Sequence, residues 1–152
     1  MRLLIAAVGR AKSGPEKALY EHYAGRVAFP LTLREVEEKR RLPAPELKKR
    51  EADLLLGAVP EGAALVVLDS RGKPLSSDGF ADRLRVWRDE GRRDVAFLIG
   101  GAEGLDETVR RQGDLVLSFG PQTWPHMLVR GLLAEQIFRA QCILAGHPYH
   151  RD

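Results

Sequence analysis

The chain has 152 residues, of which 44% are hydrophobic and 30% charged, a length and balance typical of one globular domain. Its one cysteine, Cys142, excludes an internal disulfide framework and a cysteine-based zinc site. No apolar run approaches the roughly 20 residues that span a bilayer, and a net charge of +3 does not by itself indicate a nucleic-acid partner. We therefore expect a single cytoplasmic domain, residues 1–152, with no membrane partner.

The hydrophobic pattern predicts strands and helices in alternation. Five short runs have the length and composition of strands: residues 2–8, 31–36, 63–68, 94–99 and 115–119. Helical spacing and capping residues predict five helices: residues 15–28, 45–58, 77–90, 105–112 and 125–145. Residues 69–74 are predicted to form a turn. This alternation indicates an α/β fold with a mostly parallel sheet flanked by helices.

The last predicted helix is apolar over much of its circumference. Val129, Leu133 and Ile137 lie on one face, and Leu128 and Leu132 widen it. A helix of this kind needs two burial partners, of which the sheet is one. The other is either a further part of the same chain or the same helix of a second subunit in a two-fold dimer. Periodicity leaves both alternatives open.

Three loops follow predicted strands at the carboxyl edge of the sheet, where open parallel sheets bind ligands. They begin after Leu68, Ile99 and Phe119. The second loop, residues 100–104, reads GGAEG. It lacks both the GxGxxG spacing and the later acidic residue of a dinucleotide site, so its glycines indicate either a ligand loop or a tight turn.

The third loop, residues 119–124, is stiffened by Pro121 and by the following Pro125. Its backbone groups suit the edge of a ligand base. The alternative is a simple helix start, with Trp124 packed on the core. His126 follows directly at the start of the helix, where the helix dipole is expected to lower its pKa.

The remaining polar groups give weaker signals. No histidine spacing matches a metal site, so no metal is predicted. Tyr149, His150 and Arg151 crowd into a tail that composition alone would leave disordered. Basic residues cluster at four places, where they indicate either solvated helix faces or an RNA footprint. The clusters are residues 39–41, 48–50, 92–93 and 110–111.

Several stretches in this order resemble the ribosomal RNA large subunit methyltransferase H family of the SPOUT superfamily. They are LDSRGKPLSS from Leu68, FLIGGAEGL from Phe97, TWPH from Thr123 with Leu128-Val129-Arg130, EQIFRA from Glu135, and the terminal HPYHR from His147. GGAEGL alone is a weak signal, but with TWPH and PYHR it is highly specific. The resemblance runs nearly the whole length of the chain.

The resemblance implies a SPOUT-type α/β fold with a C-terminal trefoil knot, although knots are rare in proteins generally. It implies a homodimer that uses S-adenosyl-L-methionine (SAM) as methyl donor. The implied acceptor is N3 of pseudouridine 1915, in helix 69 of 23S rRNA, on the assembled 70S ribosome.

Carried over by motif, the implied SAM contacts are Leu68, Gly100, Phe119, Gly120, Pro121, Gln122, Thr123 and Trp124. The family usually has a serine, and often a methionine or leucine, where this chain has Gly120-Pro121-Gln122. Backbone contacts survive that change, whereas side-chain contacts in this loop need not.

N3 of pseudouridine is an imide N–H, a poor nucleophile until it is deprotonated. Arg139, Tyr149, His150 and Arg151 are our candidates for binding and activating the base, with His126 as a fifth. Two other hypotheses stay open: a SPOUT methyltransferase with another RNA target such as tRNA, and a non-catalytic RNA-binding module.

Overall fold

A computed structural model describes residues 1–151. Strands and helices alternate along these residues as predicted. The strands are β1 (Arg2–Val8), β2 (Leu31–Val36), β3 (Ala64–Lys73), β4 (Asp94–Ile99) and β5 (Leu115–Leu117). The helices are α1 (Pro15–Ala24), α2 (Ala44–Gly57), α3 (Ser77–Asp89), α4 (Glu107–Gln112) and α5 (His126–Ala145).

The strands form one sheet in the order β2-β1-β4-β3-β5, and each pair of neighbours is parallel. A parallel pair needs a crossover connection, which the intervening helices supply. The central strands β1 and β4 are buried along nearly their whole length. Their continuous apolar sequences reflect this burial on both faces, and the predicted parallel α/β architecture is confirmed.

Helices cover both faces of the sheet and create two hydrophobic cores. Because side chains alternate along a strand, Leu3 and Ile5 of β1 enter one core while Leu4 and Ala6 enter the other. The first core is completed by α3 and α5, and α1 packs along α5. The second core is completed by α2 and α4. Phe80, Leu84 and Trp87 of α3 are buried in the first core.

Helix α5 packs against two other parts of the same chain, the sheet and α1. Leu133 and Ile137 are completely buried beneath the sheet. On another side, Gly131 lets α1 approach closely, since a Cβ there would lie 2.8 Å from the Leu19 side chain. The intrachain alternative therefore accounts for most of the apolar surface of α5. Leu128 and Leu132 stay half-buried, and the dimer stays a prediction.

The predicted turn over residues 69–74 is wrong, because β3 continues to Lys73. Leu68 and Lys73 both lie in register with Leu117 of β5, so the residues between them bulge out of the ladder. Gly72 makes this possible, since a Cβ at that position would lie 2.5 Å from the Val116 carbonyl oxygen. The bulged residues are polar and look like a turn, but their pairing with β5 is non-local.

Three other boundaries differ by a few residues. Helix α1 ends at Ala24 because the chain beyond it turns towards α5, where the Ala28 N–H donates to the Gln141 side chain at 2.5 Å. Helix α4 begins only at Glu107, because Asp106 caps it by accepting from the Thr108 N–H. Strand β5 ends at Leu117, where the chain leaves the sheet for the third loop.

The trefoil knot stays a prediction, since strand order and pairing state which strands are neighbours and not how the chain threads. Within residues 1–151, no helix combines the length and apolarity that a bilayer crossing requires.

Candidate active site

A cleft of about 610 Å³ lies at the carboxyl edge of β3, β4 and β5. Its walls are the three loops that the sheet topology predicted, and its size is in the range of small-molecule sites. The lining includes the following predicted residues: Leu68, Gly100, Phe119, Gly120, Gln122, Thr123, Trp124 and His126. Pro121 is exposed and lies outside this lining. The structure thus brings together seven of the eight predicted cofactor residues.

The glycine loop after β4 has little room for side chains. A Cβ at Gly100 would lie 2.9 Å from the Leu105 side chain and 3.1 Å from the Gly104 carbonyl carbon. Gly104 has a φ of +81°, and its N–H donates to the Gly101 carbonyl at 3.0 Å. The loop is therefore folded tightly on itself, and it offers mainly backbone to the cleft.

The third loop is held in shape by its own hydrogen bonds. The Ser118 hydroxyl accepts from the Gly120 N–H at 3.0 Å and lies 3.0 Å from the Ser70 carbonyl. The Trp124 indole N–H donates to the Phe119 carbonyl at 3.2 Å. Trp124 is 40% exposed, so the alternative in which it packs on the core is wrong. These hydrogen bonds fix the path of the loop along the cleft wall.

Charged side chains border the cleft at its first loop. Asp69 accepts from the backbone N–H of Arg71 at 2.9 Å and forms ion pairs with Arg71 and Arg110, both at 3.1 Å. Burial alone would raise the pKa of Asp69, but its hydrogen bonds from Arg71 outweigh burial and lower it. Asp69 is therefore ionised, and its negative charge is balanced by the positive charges of Arg71 and Arg110.

His126 lies in the same cleft, at the first turn of α5. Burial lowers its pKa, the positive charge of Arg130 lowers it further, and a hydrogen bond with the Val8 backbone opposes both. The predicted direction is confirmed, with burial as the largest cause and the charge of Arg130 as the second. Within residues 1–151, Nδ1 of His126 has no hydrogen-bond partner. The imidazole is thus neutral near pH 7.

A buried ion pair fixes the chain beneath His126. Arg130 is 2% exposed, and its Nη1 lies 2.6 Å from Oε2 of Glu35. Its Nη2 donates to the Gly9 carbonyl at 3.0 Å, while the Ala11 N–H donates to the Glu35 carboxylate at 2.7 Å. The pair therefore ties the segment after β1 to both β2 and α5.

The tail forms an ordered polar cluster on α5. Arg139 donates to Oε1 of Glu135 at 2.7 Å, and the Tyr149 hydroxyl donates to the same oxygen at 3.0 Å. Nη1 of Arg139 lies 3.0 Å from Nδ1 of His150. The Tyr149 ring packs edge-on against Phe138, with 4.7 Å between centroids. The disordered alternative for residues 149–150 is therefore wrong.

This cluster borders a second cleft of about 710 Å³. The two clefts share Leu117, Phe119, Gly120 and Trp124 as a common wall. Arg139 and Tyr149 line only the second cleft, whereas His126 lines only the first. Along α5, His126 and Arg139 are ~20 Å apart at 1.5 Å per residue.

Of the five predicted catalytic residues, the structure therefore groups Arg139, Tyr149 and His150. It leaves His126 in the neighbouring cleft, and Arg151 is exposed.

Known proteins match nearly the whole chain. Residues 1–150 match the family model described as a predicted SPOUT methyltransferase. The chain belongs to this SPOUT methyltransferase family. It is 65% identical over 151 residues to the ribosomal RNA large subunit methyltransferase H of Rhodospirillum centenum, and 62% identical over 151 residues to that of Paramagnetospirillum magneticum. Both alignments cover 99% of each chain.

Solved structures of putative methyltransferases share the fold. One, from Legionella pneumophila with bound SAM, superposes with a TM-score of 0.51 at 14% identity. The superposition covers 95% of this chain and 66% of the Legionella chain. As a member of the SPOUT methyltransferase family, the protein is a methyltransferase.

The sequence patterns assigned no role to several residues that position this SPOUT methyltransferase site. Glu135, which holds both Arg139 and Tyr149, had a visible signal, since an acidic residue four positions before an arginine on a helix forms a pair. Arg130 also had one, because a single arginine on a buried helix face needs a partner. That its partner is Glu35, 95 positions away, follows from no local pattern.

Proposed function

We propose that this SPOUT methyltransferase transfers the methyl group of SAM to N3 of pseudouridine 1915, in helix 69 of 23S rRNA, on assembled ribosomes. The observation that carries the proposal is the pair of adjoining clefts. One gathers the backbone loops expected to hold SAM, and the other gathers the polar tail expected to hold the base. The names of the relatives, ribosomal RNA large subunit methyltransferases H, support the rRNA substrate.

The first cleft fits SAM in its volume and in its walls. A Cβ at Gly100 would collide with Leu105 and the Gly104 backbone. The cleft wall therefore keeps its shape only when this position has no side chain. Leu68, Gly100 and residues 119–124 would hold the cofactor. The Legionella neighbour was solved with bound SAM, which supports the same donor here. When bound, SAM supplies an electrophilic methyl group on its sulfonium.

The tail cluster suits the acceptor base. Burial raises the pKa of Tyr149, and the hydrogen bond and charge of Glu135 raise it further. Tyr149 is therefore a neutral hydrogen-bond donor near pH 7 and not a base. Arg139 is cationic and has five N–H donors. The single Tyr149 proton is already donated to Glu135, so Tyr149 positions that carboxylate. The remaining N–H donors of Arg139 suit the negative charge that spreads over the carbonyl oxygens beside N3 as its proton passes to solvent.

His150 has a defined tautomer in this arrangement. Arginine has donors and no acceptor, so Nδ1 of His150 must accept from Arg139. When His150 is neutral, the ring proton is therefore on Nε2, which lies 3.6 Å from Asp78. We therefore expect His150 to position Arg139. Alignment of N3 with the methyl group can lower the activation barrier by about 7–11 kcal/mol.

We also propose that the protein acts in the cytoplasm, as a homodimer. The second cleft lies between α1, α3 and α5, and the half-buried Leu132 together with Trp124 gives it an apolar rim. A second subunit would cover this rim. Sedimentation equilibrium tests the proposal, with twice the chain mass of 16.9 kDa expected. A monomer at micromolar concentration would contradict it.

The reaction is tested with labelled SAM and four RNA substrates in parallel: 70S ribosomes lacking the modification, isolated 50S subunits, naked 23S rRNA and bulk tRNA. We expect label in 70S ribosomes and none in tRNA. Label in tRNA alone would support a different SPOUT target. SAM binding without label in any RNA would contradict the proposed substrate, and no SAM binding would contradict the proposed donor site.

A further inference from the structure

The positive charge of the protein is concentrated in one segment. Residues 37–50 contain six basic and three acidic side chains, a net charge equal to the +3 of the whole chain. The rest of the chain is therefore neutral overall. This segment comprises the loop after β2 and the first half of α2.

Within this segment, one carboxylate organises two of the arginines. The Glu38 side chain is 9% exposed, and it lies 3.0 Å from Nε of both Arg40 and Arg50. Hydrogen bonds from the side chain and backbone of Arg40, followed by that from Arg50, lower the pKa of Glu38 to about 2. Glu38 therefore stays ionised and clamps the loop to α2.

Four cations of the same segment have no such partner. Among residues 1–151, Lys39, Arg41, Lys48 and Lys49 form no ion pair. We call these four residues the basic surface. The Glu38 clamp joins the loop that carries Lys39 and Arg41 to the helix that carries Lys48 and Lys49.

The other two predicted basic clusters differ from this segment in charge pairing or in position. Arg110 pairs with Asp69 and Glu107, and Arg111 also pairs with Glu107. Arg92 donates to the Gly62 carbonyl at the opposite, amino-terminal edge of the sheet. The predicted alternatives, a solvated helix face or an RNA footprint, therefore need not be the same for every basic cluster. The ion-paired Arg110 and Arg111 fit a solvated helix face.

The basic surface adjoins the SAM cleft. Lys48 lines the cleft directly. Asp106 follows the glycine loop, and its pKa is lowered by hydrogen bonds with Thr108 and further by the charges of Lys49 and Lys48. Both lysines are thus close enough to the glycine loop to act on Asp106 electrostatically.

We propose that the basic surface binds RNA phosphates flanking the acceptor nucleotide. This inference rests on the proposed function. Phosphate contacts fix position and orientation and carry no sequence information, so the surface contributes affinity for the ribosome and not the choice of base. Each neutralised phosphate releases bound counterions, which makes the affinity fall as salt rises.

The test compares two triple variants that each remove three positive charges. The first is K39Q/R41Q/K49Q, which leaves the cleft residue Lys48 in place. The control is R85Q/R88Q/R93Q, whose exposed arginines lie on α3 and just before β4. For each protein, KM for 70S ribosomes is measured at several salt concentrations, and the Kd for SAM is measured by calorimetry.

We expect the first variant to raise KM for ribosomes roughly 10- to 100-fold and to flatten the log KM against log salt slope by about 2–3. Its Kd for SAM and its kcat at saturating ribosomes should match the wild type, as should all values of the control. Equal KM values and slopes in both variants would overturn the proposal. An inactive wild type would instead contradict the proposed function itself.

Discussion

Tyr149 in the tail and Glu135 in α5 are joined by a hydrogen bond of 3.0 Å between the phenol oxygen and Oε1. The same oxygen accepts from Arg139 at 2.7 Å. One carboxylate therefore sets the positions of two proposed catalytic groups. The edge-on packing of Tyr149 against Phe138 adds an apolar contact. The tail is held by these contacts within a single chain.

Removing residues 149–152 should abolish methyl transfer and leave SAM binding within about twofold of the wild type, because the tail borders the second cleft and not the first. Single-turnover transfer and calorimetric SAM titration measure the two effects separately. Methylation by the truncated protein at the wild-type rate would remove the tail from the mechanism.

Glu35→Ala should destabilise the protein by about 3 kcal/mol, because it leaves the buried Arg130 guanidinium without its counter-charge. Urea unfolding followed by circular dichroism measures the change. The matched control is Arg34→Ala, an exposed position on the same strand, which should change stability by less than ~0.5 kcal/mol. Similar losses in both variants would mean that the ion pair contributes little.

Gly100→Ala should weaken SAM binding at least tenfold, about 1.4 kcal/mol. The added methyl would collide with Leu105 and the Gly104 backbone, and would therefore distort the glycine loop that forms the cleft wall. Gly57→Ala is the control, because nothing lies within 4 Å of a Cβ there at the end of α2. Unchanged SAM affinity in Gly100→Ala would mean that the loop is not part of the cofactor site.

His126 should make the protein less stable in mild acid. Burial and Arg130 lower the pKa of the folded-state imidazole below its ordinary 6.5, so the unfolded chain takes up a proton first. The contribution of the neutral imidazole to the free energy of unfolding is fully present above about pH 6.5, and it is lost as the pH falls through the folded-state pKa.

The free energy of unfolding of wild type and His126→Leu, compared from about pH 8 to 5.5, isolates this contribution. We expect a steeper loss of stability in the wild type as pH falls. Parallel curves for the two proteins would show that the imidazole titrates alike in the folded and unfolded states.

Most of the fold follows from local sequence patterns. The runs that became β1 and β4 are continuously apolar because both sheet faces are covered. The end of β3 could not be predicted, since residues 69–73 are polar and owe their strand conformation to pairing with β5. Local composition contains no information about that partner.

The candidate site also has some features that the sequence predicts and others that it does not. The three cleft loops were predictable, because parallel strands in an open α/β sheet place their carboxyl ends at one edge. The separation of His126 from Arg139 follows from helix length alone and was also open to prediction. The clamp by Glu35 on Arg130 was not, because it joins an edge strand to the last helix across most of the chain.

The proposed reaction is tested by nuclease digestion and mass spectrometry of 23S rRNA, after incubation of unmodified 70S ribosomes with the protein and SAM. We expect one new methyl group, on N3 of pseudouridine 1915, in the wild-type reaction and none with the variant lacking residues 149–152. A methyl group on another nucleotide, or on another atom of the same base, would contradict the proposed target.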